Sequence, residues 1–283
     1  MAVILLLFAV LGIAPLAIGL ALAAPGSRAS VPLPILGSVL FCALAFNLVF
    51  FWQELWLVIP KAFTPGLHPV LFHNNHEWTG SAPTAELLQG CGALATLTLG
   101  LAATGLLAMG SRLSATARLF CFWMAFQGLS QSLTQIAIGA VVPGNDVGRA
   151  LTYLGLSPLV HVGLALVAAV ALALSGTTLA RLFPASAQGD QVAASSGIKI
   201  ILLAAILSVA LIVPFRIPRN PVETSLIPLI VNIVGAGWTI LGFALAHKDG
   251  SGDPVRAPLA WPALALVMLL LIFQLILRPG IRF

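Results

Sequence analysis

Long apolar segments separated by short polar connections run through the whole chain. Eight of these segments approach or exceed the roughly 20 residues that a helix needs to cross a bilayer. They cover residues 2–24, 33–59, 87–110, 115–140, 151–176, 197–214, 225–246 and 259–277. The pattern predicts an all-α, polytopic transmembrane helix bundle of about eight spans, with seven as the alternative.

Composition supports the membrane class. Hydrophobic residues make up 60% of the chain and charged residues only 7%, whereas a soluble domain carries about 25% charged residues. We therefore expect a single integral membrane domain over residues 1–283, in a bacterial inner (plasma) membrane, with the lipid bilayer as its partner. The 13 Lys and Arg residues are scattered, which excludes the clustered basic surface of a nucleic-acid-binding protein.

The first segment and the loop charges bear on targeting and orientation. Residues 2–24 lack a basic stretch before the apolar run, and this run is longer than the core of a signal peptide. We expect this segment to be retained as a span. Lys and Arg are divided almost evenly between the two sides of an eight-span bundle, so the charges do not predict the orientation.

Small residues recur every four positions in the third span, at Gly92, Thr96, Gly100, Thr104 and Ala108. This spacing places them on one helix face, where another backbone can approach closely. The stripe predicts a packing seam between helices.

Glu54 is an ionisable residue inside the second span, where a carboxylate is costly unless it faces a partner or a polar cavity. Asn47, Glu54 and Lys61 are spaced by seven residues and share one helix face. Helical rise separates Glu54 from Lys61 by about 10 Å, too far for a direct ion pair. Glu54 therefore requires a partner from another element. It is either a functional carboxylate, as a catalytic or binding group, or a structural buried hydrogen-bonding group.

The loop after the second span is rich in histidine. His68, His73, His76 and Glu77 supply enough nitrogen and carboxylate ligands for a metal ion, and zinc is a possible cofactor. The histidines at 73 and 76 converge if the loop forms a helical turn, but the intervening Asn74–Asn75 pair favours a non-helical turn. The alternative is an interfacial loop in which His and Trp lie at the headgroup level.

Gln127, Gln131 and Gln135 form a polar stripe on one face of the fourth span. Such a stripe either hydrogen-bonds to neighbouring helices or lines a wet cavity. Asp146 follows in a Pro-Gly-Asn turn, on the same side of an eight-span bundle as the histidine loop. Glu54, the histidines and Asp146 are therefore expected around one mouth, with the glutamine stripe leading into it.

Three isolated polar residues lie in the later spans. His161 is the remaining ionisable candidate for the binding site, and a lone histidine in a helix is more often a hydrogen-bonded core residue than a ligand. Asn232 and Gln274 are expected to form interhelical hydrogen bonds.

The order of these features resembles that of the site-two-protease-like intramembrane zinc metalloproteases. That family carries an H-E-x-x-H helix, a Gly-containing start to the next span and a late Asp-Gly turn that supplies a third ligand. Within residues 47–176, the corresponding stretches are Gln-Glu-Leu-Trp-Leu at 53–57, Gly-Cys-Gly-Ala at 90–93 and Asn-Asp-Val-Gly at 145–148. Gln53 and Leu57 occupy the two His positions, so zinc cannot be held as that family holds it. The resemblance implies a non-proteolytic relative, or one with its metal ligands moved into residues 68–77.

Three function classes follow. The first is a site-two-protease-like binding or accessory protein whose polar mouth, around residues 47–80 and 127–148, docks a ligand or a partner membrane protein. The second is a metal-dependent membrane enzyme, with His73, His76 and a carboxylate as ligands and Glu54 as the general base. The third is a proton- or cation-coupled transporter that uses Glu54 and requires a polar path to the opposite face.

Overall fold

A computed structural model describes residues 2–23, 33–109, 113–184, 190–245 and 259–283. The helices are α1 (Ala2–Phe8), α2 (Ala14–Leu22), α3 (Leu33–Ala62), α4 (Gly90–Ala108), α5 (Ala115–Gly139), α6 (Asp146–Tyr153), α7 (Pro158–Leu182), α8 (Asp190–Arg216), α9 (Ile227–Leu245) and α10 (Ala260–Leu271). Short π-helical turns join α1 to α2 (Ala9–Ile13), lead into α9 (Val222–Leu226) and continue α10 (Ile272–Leu277), and a 3₁₀ turn (Leu87–Gln89) precedes α4.

Seven of the predicted spans are helices long and apolar enough to cross a membrane. They cover Leu5–Leu22, Ile35–Ala62, Leu87–Ala108, Pro158–Leu182, Gly197–Arg216, Val222–Leu245 and Ala260–Leu277. The all-α, polytopic bundle expected from the hydrophobic pattern is confirmed.

The remaining predicted span, α5, is a helix of 25 residues that is more polar than the other seven. It packs against α3, α4, α6, α7 and α9, so protein encloses it on most sides. Its Gln, Ser and Thr side chains therefore contact other helices rather than lipid, and this enclosure explains how a polar helix can lie inside the bundle.

The fifth predicted span, residues 151–176, begins too early. The structure forms the short helix α6 at this point, turns at Gly155 with a φ of +62°, and starts the long helix α7 at Pro158. The Ser157 side chain accepts a hydrogen bond from the Val160 amide, and Pro158 occupies the first helical turn. An N-cap serine followed by proline is a helix-start signal that the hydrophobic pattern alone does not register.

A small antiparallel sheet covers the end of the bundle where α3 stops. Strands β1 (Leu67–Leu71) and β2 (His76–Gly80) form a hairpin, and β3 (Ile281–Arg282) pairs with the other edge of β1. The Phe72 amide donates to the Asn75 carbonyl across the turn at 2.9 Å. The prediction of a non-helical turn at Asn74–Asn75 is confirmed, whereas the strands on either side were not predicted.

The small-residue stripe on α4 is a packing seam over most of its length. Gly92, Thr96 and Gly100 are buried, and Ala108 at the far end is exposed. A Cβ atom added at Gly100 would lie 2.7 Å from the Leu129 amide nitrogen of α5, and one added at Gly128 would lie 2.6 Å from the Gly100 Cα. The backbones of α4 and α5 therefore cross in contact, as small-residue seams permit.

Gly100→Ala is expected to destabilise the protein by about 1–3 kcal/mol, because the added methyl group meets backbone that cannot rotate away. Gly105→Ala, on the same helix, is the matched control, since no atom lies within 4 Å of its added Cβ. Equilibrium unfolding in mixed micelles measures both changes. Equal effects of the two substitutions would contradict the close crossing of α4 and α5.

Candidate functional site

A polar cavity of about 330 Å³ lies between α3, α5, the start of α6, the hairpin turn and the connection from α8 to α9. Four residues singled out from the sequence line it: Glu54, Gln131, Gln135 and Asp146. Both carboxylates expected at one mouth, and two of the three stripe glutamines, therefore line one cavity, whereas none of the predicted histidines lines it. The volume falls within the range of small-molecule pockets.

Glu54 receives its partner from the hairpin. Glu54 is 5% exposed, and its Oε2 lies 2.8 Å from Nδ1 of His76 on β2. The Nε2 atom of His76 lies 3.2 Å from Oε1 of Gln89. Because a carboxylate oxygen accepts hydrogen bonds, Nδ1–H of His76 donates to Glu54.

The hairpin is held against α3 by a second set of contacts next to this pair. The Trp78 ring stacks on His76 with a centroid distance of 5.9 Å, and Lys61 Nζ lies 4.8 Å from the Trp78 centroid. Lys61 also donates to the Leu57 carbonyl at 2.7 Å. Glu54 and Lys61 do not pair directly, as their spacing predicted. They are linked through two hairpin residues instead.

Asp146 is the least compensated carboxylate of the cavity. Among the described residues it has no ion-pair partner, although it lies in the first turn of α6, where the helix dipole favours negative charge. Burial raises the pKa of the Asp146 carboxyl, and the nearby Glu54 carboxylate raises this pKa further. Glu54 and Asp146 therefore face one cavity closely enough to interact electrostatically.

Asp146→Asn is expected to stabilise the protein at about pH 8 and to have little effect at about pH 4. Since the folded-state pKa is raised, the folded protein holds this proton to higher pH than the unfolded chain does. Stability is therefore lost as pH rises through the folded-state pKa, and asparagine removes that loss. Thermal unfolding across this pH range measures the difference. The matched control is Glu77→Gln, an exposed carboxyl that does not line this cavity, and a pH-independent effect of Asp146→Asn would contradict the assignment.

The glutamine stripe forms hydrogen bonds between helices and also lines the cavity, the two roles considered for it. Gln127 donates to Asn232 Oδ1 at 2.9 Å and Gln131 donates to Gln127 Oε1 at 3.2 Å, so the deeper part bonds between helices. Gln135 donates to Gln53 on α3 at the cavity wall. The interhelical bonding predicted for Asn232 is confirmed, because its amide also donates to the Ala205 carbonyl and to Ser208 Oγ of α8.

Arg216 is the main cavity residue that sequence reasoning missed. It ends α8, is 6% exposed, and its guanidinium carbon lies 4.0 Å from the centroid of the Phe50 ring. Its Nε donates to the Glu223 carbonyl at 3.3 Å, and its Nη1 is buried without a hydrogen-bond partner among the described residues. Thr134 Oγ1, also in the cavity wall, is likewise buried and without such a partner. Unpaired buried polar atoms are rare in folded proteins and mark a place where a further group can bind.

In the sequence, Arg216 is one of several basic residues that follow a predicted span. Arginine at such a position ordinarily extends to the membrane surface, so its burial in the cavity wall was not predicted. In the structure, the hairpin turn packs over it, and Asn74 donates to the Arg216 carbonyl at 2.9 Å. This contact joins residues 142 positions apart, so no local sequence pattern predicts it.

The four predicted metal ligands have separate surroundings. His76 bonds to Glu54, His73 Nε2 lies 3.0 Å from the Ile217 carbonyl oxygen, and His68 and Glu77 are exposed on the hairpin. Among the described residues, no group of three His, Cys, Asp or Glu side chains is placed to hold a metal ion. The geometry gives the predicted zinc site no support.

Two further predicted binding residues lie outside the cavity wall. Asn47 donates to the Ala43 carbonyl of its own helix at 2.9 Å. His161 Nδ1 lies 3.0 Å from the Ala140 carbonyl oxygen at the end of α5. For His161 this hydrogen-bonded environment is the alternative that the sequence analysis gave, and Asn47 is likewise bonded within its own helix. Gln274 donates to the Pro214 carbonyl at 3.0 Å, which confirms its expected interhelical bond.

No protein-family model, curated protein or solved structure matches this chain. The resemblance to the site-two-protease-like metalloproteases therefore depends on the residues alone. At the positions of the two family histidines, Gln53 is hydrogen-bonded to Gln135 and Leu57 is fully buried. Neither side chain supplies the imidazole ligand that the family places there.

Proposed function

We propose that this chain is a non-proteolytic membrane binding protein whose polar cavity holds a small molecule with an anionic group. The observation that carries this proposal is Arg216, a buried guanidinium in the cavity wall with an unpartnered Nη1. A buried cation is costly unless it is paired. Among the described residues no carboxylate forms an ion pair with Arg216, so an anionic group on a ligand would supply that partner.

The remaining charges of the cavity define the other end of the ligand. Glu54 is bonded to His76, and Glu223 forms an ion pair with Arg219 at 3.1 Å. Asp146 is then the wall carboxyl left for a ligand. Arg216 at the end of α8 and Asp146 at the start of α6 both line the cavity. The best fit is a molecule with an anionic group at Arg216 and an amine or hydroxyl at Asp146.

Apolar side chains complete the wall between these two ends. Phe46, Phe50, Ile138, Ile227 and Val231 line the same cavity. Ligand pockets typically combine an apolar lining with a few polar groups that fix orientation. The middle of the ligand is therefore carbon-rich, with polar groups at its ends.

Binding fits the bundle better than transport through it. The polar network that descends from the cavity reaches Gln127, Asn232 and Ser208 and ends at Cys42. The next turns of α3 and α5 bury four large aromatic side chains, Phe41, Phe122, Trp123 and Phe126, and Ser38 is a buried polar residue on the same part of α3. A continuous polar path to the opposite face, which a transporter would need, is not present among these residues in this conformation. Docking of a partner membrane protein at the mouth stays a prediction.

Native mass spectrometry of the purified protein tests the proposal. The wild type is expected to retain one small molecule per chain, and Thr134→Phe is expected to lose it, because the larger side chain fills the cavity. Thr98→Phe is the matched control, since Thr98 is exposed on α4 and lies outside the cavity. A bare wild-type chain, or equal retention by both variants, would contradict a ligand in this cavity.

A further inference from the structure

A second pocket lies on the outer side of the hairpin turn, at the membrane boundary. It measures about 290 Å³ and is lined by turn residues 72–75 and by Glu77, Pro218, Arg219 and Arg278. Two candidate spans end at Arg216 and Leu277. Arg278 follows the second end directly and Arg219 comes shortly after the first, so the pocket is at the level of the lipid headgroups.

The pocket has cationic groups available for an anion. Arg278 has no carboxylate within ion-pairing distance among the described residues, and it makes only a long 3.4 Å contact to Gln274 Oε1. Arg219 shares its charge with Glu223 at 3.1 Å. A guanidinium at headgroup level binds a phosphate oxygen through charge-assisted hydrogen bonds.

His73 adds an acceptor to these donors. It is 3% exposed, and its Nε2–H donates to the Ile217 carbonyl, which leaves Nδ1 without a hydrogen-bond partner among the described residues. Burial lowers the pKa of His73, and the neighbouring Arg278, Arg219 and Arg216 lower this pKa further. The ring is therefore neutral, and Nδ1 accepts a hydrogen bond rather than donating one.

Glu77 limits how much negative charge a ligand in the pocket can carry. Its carboxylate accepts a hydrogen bond from a hydroxyl but repels a second negative charge, which disfavours a phosphomonoester. The surrounding arginines disfavour an ammonium group. A singly charged phosphodiester that carries a hydroxyl satisfies all of these groups together.

The surface below the pocket suits an acyl chain. Leu275 and Ile276, just before Arg278, are 70% and 58% exposed. Both lie at the end of the candidate span that closes at Leu277. A headgroup in the pocket would place its tails along this apolar surface, which a free phosphate ion would not use.

We propose that this second pocket binds the headgroup of an anionic phospholipid, a hydroxyl-bearing phosphodiester of the phosphatidylglycerol type. The pocket shares Asn74, Asn75 and Arg219 with the wall of the small-molecule cavity, whereas His73, Glu77 and Arg278 line only the second pocket. The lipid proposal does not depend on the function of the cavity. Arg278 and Arg219 hold the phosphate, and His73 with Glu77 receives the headgroup hydroxyl.

Native mass spectrometry of protein released from nanodiscs tests this site. With equal amounts of phosphatidylglycerol, phosphatidylethanolamine and phosphatidic acid, the wild type is expected to retain one phosphatidylglycerol in preference to the other two. Arg278→Gln is expected to reduce this retention about fivefold, the usual contribution of one basic residue near a membrane surface. Arg282→Gln, an exposed arginine of β3 outside the pocket, should leave retention unchanged.

A gain-of-binding variant tests the site by a change that misfolding would not produce. Glu77→Gln removes the repelling carboxylate and is expected to raise the retention of phosphatidic acid relative to phosphatidylglycerol. Equal retention of the three lipids by the wild type would overturn the proposal. Displacement of the lipid by millimolar inorganic phosphate would also overturn it, because it would identify a phosphate site rather than a lipid site.

Discussion

His76→Ala is expected to destabilise the protein by about 3–5 kcal/mol, the cost of leaving a buried charge without its partner. Glu54 is buried in α3, and the imidazole of His76 is its hydrogen-bonding partner at 2.8 Å. Removing this ring also removes the surface on which Trp78 stacks. Equilibrium unfolding in mixed micelles measures the loss.

Two variants distinguish the loss of the Glu54–His76 pair from a general effect of mutating the hairpin. His68→Ala changes an exposed histidine on β1 and is expected to cost little. Adding Glu54→Gln to His76→Ala should recover much of the lost stability, because a neutral amide replaces the unpaired carboxylate. If His76→Ala is no more harmful than His68→Ala, the pair does not hold the hairpin on the bundle.

Arg216→Gln is expected to weaken binding of the cavity ligand by about 30-fold or more, since losing one partner of a buried charge pair typically costs at least about 2 kcal/mol. The measurement is a titration of the variant with the compound recovered from the wild-type protein. Arg282→Gln is the matched control and should leave the affinity unchanged, because Arg282 is exposed on β3 and does not line the cavity.

Arg216→Lys distinguishes ligand binding from structural support. Lysine retains the positive charge but not the planar guanidinium that lies over Phe50. It should bind the ligand better than Arg216→Gln at comparable stability. Unchanged affinity in Arg216→Gln would mean that the anionic group of the ligand does not lie at Arg216.

Helical periodicity explains which parts of the site were predictable. Gln127, Gln131 and Gln135 follow one another at four-residue spacing, so their common face is a local property of the chain. The alternation of spans places the start of α6 and the hairpin on one side, which brings Asp146 near Glu54. Long, strongly apolar segments and their connection order were enough for these conclusions.

The parts that sequence reasoning missed depend on contacts between distant segments. The hairpin is packed against the end of α8 by His73 and Asn74, which bond to the carbonyls of Ile217 and Arg216. This packing buries Arg216 and gives His73 and His76 different partners. Neither the separation of these histidines nor the position of Arg216 in the cavity wall follows from residue spacing. A loop of His and Asn residues has the same local pattern whether it binds a metal or packs against a helix end.

A high-resolution structure of the lipid-embedded protein would show whether the polar cavity holds a ligand. We expect density for a small molecule in the cavity, within hydrogen-bonding distance of Arg216 Nη1 and extending towards Asp146. Density for ordered waters alone at Arg216 and Thr134, or a cavity closed by the two side chains, would contradict the binding function proposed for this protein.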